Sequence, residues 1–152
     1  MKELDKPKSN KFDSRKYKNI INKLTETTLG MEIEEKCKEI AIDILQNYEG
    51  FERIEEGPKF PGTPFDFLGF KNGKPYMIEL KCSLKSFNTP IDTQKRRMKR
   101  ILKRINNLKV SLLQIKLRKS EYRIFYHNDM ESILKIKGAP IELIIKWLED
   151  RI

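Results

Sequence analysis

Two cysteines, Cys37 and Cys82, and one histidine, His127, are all the soft metal ligands that the 152 residues provide. That is too few for a four-ligand zinc cluster, which excludes zinc chemistry of that kind. Long apolar runs are also missing, since none approaches the roughly 18 residues of a membrane span. The opening Met1–Lys11 lacks the apolar centre of a secretory signal. A cytoplasmic protein with no membrane partner is therefore expected. With 38% apolar and 36% charged residues, a chain of this length buries about 70% of the surface its unfolded form exposes, so a single domain requires neither a disulfide nor a structural metal.

Negative charge is scarce in one place. The net charge is +10, and the stretch Lys85–Lys119 holds twelve Lys or Arg against one acid, Asp92, while the remainder is about neutral. A positive field confined to one segment suits a polyanion, nucleic acid being the commonest.

Residues 1–12 are polar and aperiodic and read as a flexible basic tail, leaving residues 13–152 as the domain. A short helix is expected from Asp13 or Ser14 to Leu24, and another from Met31 to Tyr48, where Ile33, Cys37, Ile40, Ala41, Ile44, Leu45 and Tyr48 recur at helical spacing. Phe51–Ile54 reads as a strand, followed by a loop with Gly57, Pro58, Pro61 and Gly62. Pro64–Lys71 and Lys74–Cys82 read as strands flanking Asn72-Gly73, a strong hairpin signal. A basic helix follows over Thr93–Leu108 with Met98, Ile101, Leu102, Ile105 and Leu108 on one stripe; Val110–Leu117 and Glu121–Tyr126 read as strands, and Pro140 opens a last helix. This order predicts an α/β fold with a central mixed sheet flanked by helices.

The hairpin fixes more. A two-residue turn between Lys71 and Lys74 places Asp66 opposite Glu79, at a non-bonded pair with Cα atoms only about 4.5 Å apart. Lys81 emerges on the face of Glu79, with Leu68, Phe70 and Met77, while Phe65, Phe67, Tyr76, Ile78, Leu80 and Cys82 take the other face. Facing carboxylates on a covered strand pair repel, and a divalent ion relieves the repulsion; all-oxygen ligation favours Mg²⁺ or Mn²⁺. A buried network in which Lys81 neutralises one acid is the structural alternative.

Asp66 in Pro64-Phe65-Asp66, followed by Glu79-Leu80-Lys81, resembles the signature of the PD-(D/E)xK nuclease superfamily, the fold of restriction endonucleases and archaeal Holliday-junction resolvases. Phe65 interrupts the literal Pro-Asp pair. The resemblance implies a restriction-endonuclease-like αβββαβ core over roughly residues 30–117. It implies that Asp66, Glu79 and the Leu80 carbonyl hold Mg²⁺, with Mn²⁺ as a substitute, and that Lys81 orients the attacking water. Glu34, in Gly30-Met31-Glu32-Ile33-Glu34, is similar to an acid that many members carry on the first helix, and Gln94 to a polar residue that several place beside the site.

The implied activity is Mg²⁺-dependent endonucleolytic hydrolysis of DNA, either structure-specific as in a junction resolvase or of restriction or homing type. Lys95, Arg96, Arg97, Lys99, Arg100, Lys103 and Arg104, with Lys59 from the Gly/Pro loop, are the expected DNA contacts. A noncatalytic nucleic-acid-binding module and an RNA-directed nuclease are the competing readings. The last helix, where Ile141, Ile144, Ile145 and Leu148 surround Trp147, reads equally as the surface of a homodimer or as part of a monomer's own core. His127 reads as a strand-end residue.

Overall fold

The computed structural model describes residues 8–24, 30–60, 63–87, 92–126 and 141–152. These form an α/β fold. Six strands, β1 (Asn10–Lys11), β2 (Arg53–Glu56), β3 (Phe67–Lys71), β4 (Lys74–Ser83), β5 (Lys109–Lys116) and β6 (Glu121–Tyr126), make one sheet in the order β1-β6-β5-β4-β3-β2. Only β4 and β5 run parallel; every other pair is antiparallel. The helices are α1 (Lys18–Leu24), α2 (Gly30–Asp43), α3 (Asp92–Leu102) and α4 (Ile141–Glu149). Among the described residues no helix is long and apolar enough to cross a membrane.

Two apolar layers cover the sheet. On one face Cys37, Ile40, Ala41, Ile44 and Leu45 of the α2 segment pack on Phe67, Ile78, Leu80, Leu113 and Ile115. On the other, Met98 and Ile101 of α3 and Ile144, Ile145 and Leu148 of α4 pack on Leu68, Met77, Leu112 and Phe125. Ile144, Ile145 and Leu148 of α4 are thus buried in the chain's own core; the side chain of Ile141 lies outside the described residues. Trp147 is half-buried there, 6.3 Å from Phe65 between ring centroids.

The Asn-Gly turn forms as its residue types require. Asn72 and Gly73 both take positive φ, 54° and 74°, the combination that a twisted two-residue hairpin demands. The β3–β4 register pairs Lys71 with Lys74 and Phe67 with Ile78, as the turn predicts.

Several boundaries differ from expectation. The helix expected to reach Tyr48 changes at Ile44 into a wider π turn, Ile44–Tyr48. The basic helix ends at Leu102 rather than Leu108, and the chain turns through Asn107 at φ 66°; Ile105 and Leu108 still reach the core. The tail expectation fails at its end: Asn10–Lys11 pair with β6, and Phe12 is buried, one aromatic sufficing to anchor a polar stretch over a bare sheet edge. Residues 1–7 and His127 lie outside the described residues. Although length made a disulfide unnecessary, Cys37 of α2 and Cys82 of β4 are disulfide-bonded.

Gly69 lies where a side chain has no room: a Cβ there would stand 2.7 Å from Ile78 Cδ1, 2.8 Å from Ile54 Cδ1 and 2.9 Å from Phe51 Cδ1. Gly69→Ala is expected to cost about 1–3 kcal/mol of stability through overpacking, measured by urea denaturation. An unchanged midpoint would show that these side chains can yield.

Candidate functional site

The site grows from the end of the β3–β4 ladder. Asp66 lies one residue beyond the last pair, and its main chain splits between its neighbours. Its carbonyl accepts from Gly57 N–H on the β2 side, while its N–H donates to the Ile78 carbonyl on the β4 side, both at 2.8 Å. Asp66 and Phe67 together therefore oppose Ile78, a bulge that resets the alternation of side chains. For that reason Phe65 packs in the α3/α4 layer with Leu68 and Met77, not on the opposite face as simple alternation predicts.

The bulge leaves the next β4 donor, Leu80 N–H, without a regular strand acceptor. The Asp66 side chain replaces it: Oδ2 accepts from Leu80 N at 2.7 Å. Glu79 Oε1 accepts from the same N–H at 3.0 Å. A shared donor fixes the two carboxylate oxygens as neighbours, no further apart than those two distances together. Glu79 is 2% exposed and Asp66 half-buried.

Gln94 closes the site from above. It stands four and seven residues before Met98 and Ile101, so it continues the core-facing stripe of α3 by one turn. Its Nε2 donates to Glu79 Oε2 at 2.5 Å. Lys81, half-buried and two residues beyond Glu79 on β4, emerges on the same face. Strand geometry turns the Leu80 carbonyl to the same side as its N–H, toward Asp66.

Asp66, Glu79, Leu80 and Gln94 are thus brought together, with Lys81 on the same sheet face. Among the described residues no third His, Cys, Asp or Glu joins the two acids. Glu34 lies outside the described side chains; α2 itself packs on the opposite sheet face, against Leu80.

The basic residues divide. Lys95, Arg96, Arg97 and Lys99 are half-buried on α3, and Arg100 is exposed. Burial, and then the charge of Arg100, press the pKa of Arg97 below its ordinary value. Lys103 and Arg104 lie just past the helix and are exposed. Arg104 makes a two-point ion pair with Glu142 at 2.6 and 3.0 Å, which holds the Glu142 carboxyl below the usual range. Lys59 is exposed and ion-paired with Glu56 at 3.6 Å. Two polar residues missed in the sequence share the face of Lys81: Gln114, wholly buried and its neighbour on β5, and Arg123 of β6, which donates to Gln114. The available signal was Gln114 itself, an amide inside the apolar run Val110–Leu117.

No family model matches the chain, and no curated protein matches it. The functional reading therefore rests on the site.

Two carboxylates aimed at one point present hard oxygen donors of the kind that hold Mg²⁺. Millimolar Mg²⁺ is expected to raise the thermal midpoint of the wild-type protein, and not that of Asp66→Asn or Glu79→Gln, since an ion bound only by the folded state stabilises it. Equal shifts in all three would place the ion elsewhere.

Proposed function

We propose that the protein is a Mg²⁺-dependent endonuclease that hydrolyses DNA phosphodiester bonds, built on a restriction-endonuclease-like core. The observation that carries this reading is the convergence of Asp66 and Glu79 on one backbone N–H, with Gln94 of the basic helix bonded to Glu79 and Lys81 two residues further along β4 on the same face. The order α2-β2-β3-β4-α3-β5 supports it, since it follows the αβββαβ order of that core.

The donor set fits the metal. Asp66 and Glu79, with the Leu80 carbonyl turned the same way, would hold Mg²⁺ or Mn²⁺, and the ion when bound supplies polarisation of the phosphate and a more acidic water. The remaining work belongs to the chain. Lys81 places a cation next to the carboxylates, where it orients the attacking water and stabilises charge developing on the phosphate oxygens. Gln94 holds Glu79 by a donated hydrogen bond, which fixes the carboxylate's orientation and leaves its charge in place. α3 brings Lys95, Arg96, Arg97, Lys99 and Arg100 to the same sheet face, a phosphate-binding surface insensitive to base sequence.

Linear duplex, supercoiled plasmid, four-way junction and single-stranded RNA, each with Mg²⁺ or EDTA, form the test. DNA cleavage is expected only with Mg²⁺, and Lys81→Ala is expected to lower it by about 10²–10⁴-fold while the fold is retained. The preferred substrate separates a junction resolvase from a restriction-type enzyme, and cutting of RNA alone would redirect the reading to an RNA nuclease. Binding without cutting would make this a noncatalytic module. Replacing Arg96, Arg97 and Arg100 together by Gln is expected to weaken DNA binding and flatten its salt dependence; an unchanged salt slope would remove α3 from the interface.

A further inference from the structure

The face that carries Glu79 and Lys81 continues sideways as a polar row. Lys81 pairs with Gln114 across the parallel β4–β5 contact, and Gln114 with Arg123 across β5–β6. Residues paired in this way emerge on one face, with neighbouring strands about 4.8 Å apart, so Arg123 lies about 10 Å from Lys81.

Arg123 is held firmly. Its Nε donates to Gln114 Oε1, and Gln114 is 0% exposed. The guanidinium lies over the rings of Phe87, at 4.5 Å, and Phe125, at 5.4 Å from the centroids. Phe87 also carries the Lys116 ammonium at 4.1 Å. Burial lowers the pKa of Arg123, and among the described residues no carboxylate pairs with it.

A half-buried cation of this kind is costly unless an anion meets it. The arrangement makes sense when the anion comes from outside. With Nε occupied by Gln114, the terminal nitrogens have no acceptor among the described residues and form the two-pronged donor that a phosphate accepts.

We propose that Arg123, positioned by Gln114 and braced by Phe87, grips a backbone phosphate of the nucleic acid next to the one at the Asp66–Glu79–Lys81 site. This rests on reading that site as a phosphodiester-hydrolysing centre. It adds a second contact, on β6, that aligns the strand across the sheet face and lies apart from the helical cations.

The test uses the full chain with Arg123→Met, which keeps an apolar stem against the rings and removes the charge, Arg123→Lys, which keeps the charge without the fork, and Arg53→Gln as a control, since Arg53 stacks on Phe70 of β3. Binding of a duplex oligonucleotide is measured in EDTA over a salt series, and cleavage in Mg²⁺. Arg123→Met is expected to bind about tenfold more weakly, with a salt slope shallower by about one, and to raise KM more than it lowers kcat. Arg123→Lys is expected to recover the slope and part of the affinity, and Arg53→Gln to match wild type.

Wild-type affinity and slope in Arg123→Met, or an equal loss in Arg53→Gln, overturns the proposal. If Arg123→Met does not fold, Arg123→Lys decides: several-fold weaker binding at an unchanged slope supports the grip, and wild-type affinity overturns it. Loss of binding in Arg123→Met alongside a wild type that binds but never cuts would retain the grip and discard the hydrolytic reading. A wild type that cuts, with Arg123→Met equal to it, would do the reverse. A wild type that binds no nucleic acid would discard both.

Discussion

Where β3 leaves its ladder, Leu80 presents a backbone N–H in the middle of a covered sheet, and a buried donor of that kind must find an acceptor. Two carboxylates supply it, Asp66 at 2.7 Å and Glu79 at 3.0 Å. Mutual repulsion would otherwise drive these groups apart; the common donor holds them in place. Much of the surrounding structure serves that pairing. The bulge at Asp66 frees the N–H, the α3 stripe delivers Gln94 to the second oxygen of Glu79, and the same alternation that buries Met77 brings Glu79 and Lys81 to the α3 side.

The strand bearing these groups is restrained from every direction. β4 is bonded to β3 on one side and β5 on the other, and its residue Cys82, next to Lys81, is covalently joined to α2. Placing Glu79 and Lys81 on a central strand and not on a loop limits their wandering.

Local turn chemistry made the hairpin legible, because Asn72-Gly73 fixes the register from Lys71–Lys74 to Phe67–Ile78; the direct opposition of Asp66 and Glu79 expected from that register is lost to the bulge, and the two side chains meet on Leu80 N–H instead. The bulge was not legible, since nothing in Pro64-Phe65-Asp66 distinguishes a regular strand end from one that carries an extra residue; Phe65 consequently occupies the other layer. Helical periodicity located α3 but overran its end, because Ile105 and Leu108 remain apolar and buried after the helix stops. Contacts distant in sequence stayed hidden. Neither the Cys37–Cys82 bond nor the Gln114–Arg123 contact has a local pattern, and each depends on which strands become neighbours.

That β4 and β5 are parallel has a consequence for descent. Parallel neighbours cannot be joined by a tight turn and need a crossover, and here the connector between Ser83 and Lys109 contains the polycationic helix α3. The connector and the anion-attracting surface are one segment. A lineage carrying this architecture cannot shed that surface by deletion without breaking the sheet, as it could with an appended basic tail. Drift in what the surface holds is confined to exchanging side chains on the outward turns of a helix whose presence topology already demands.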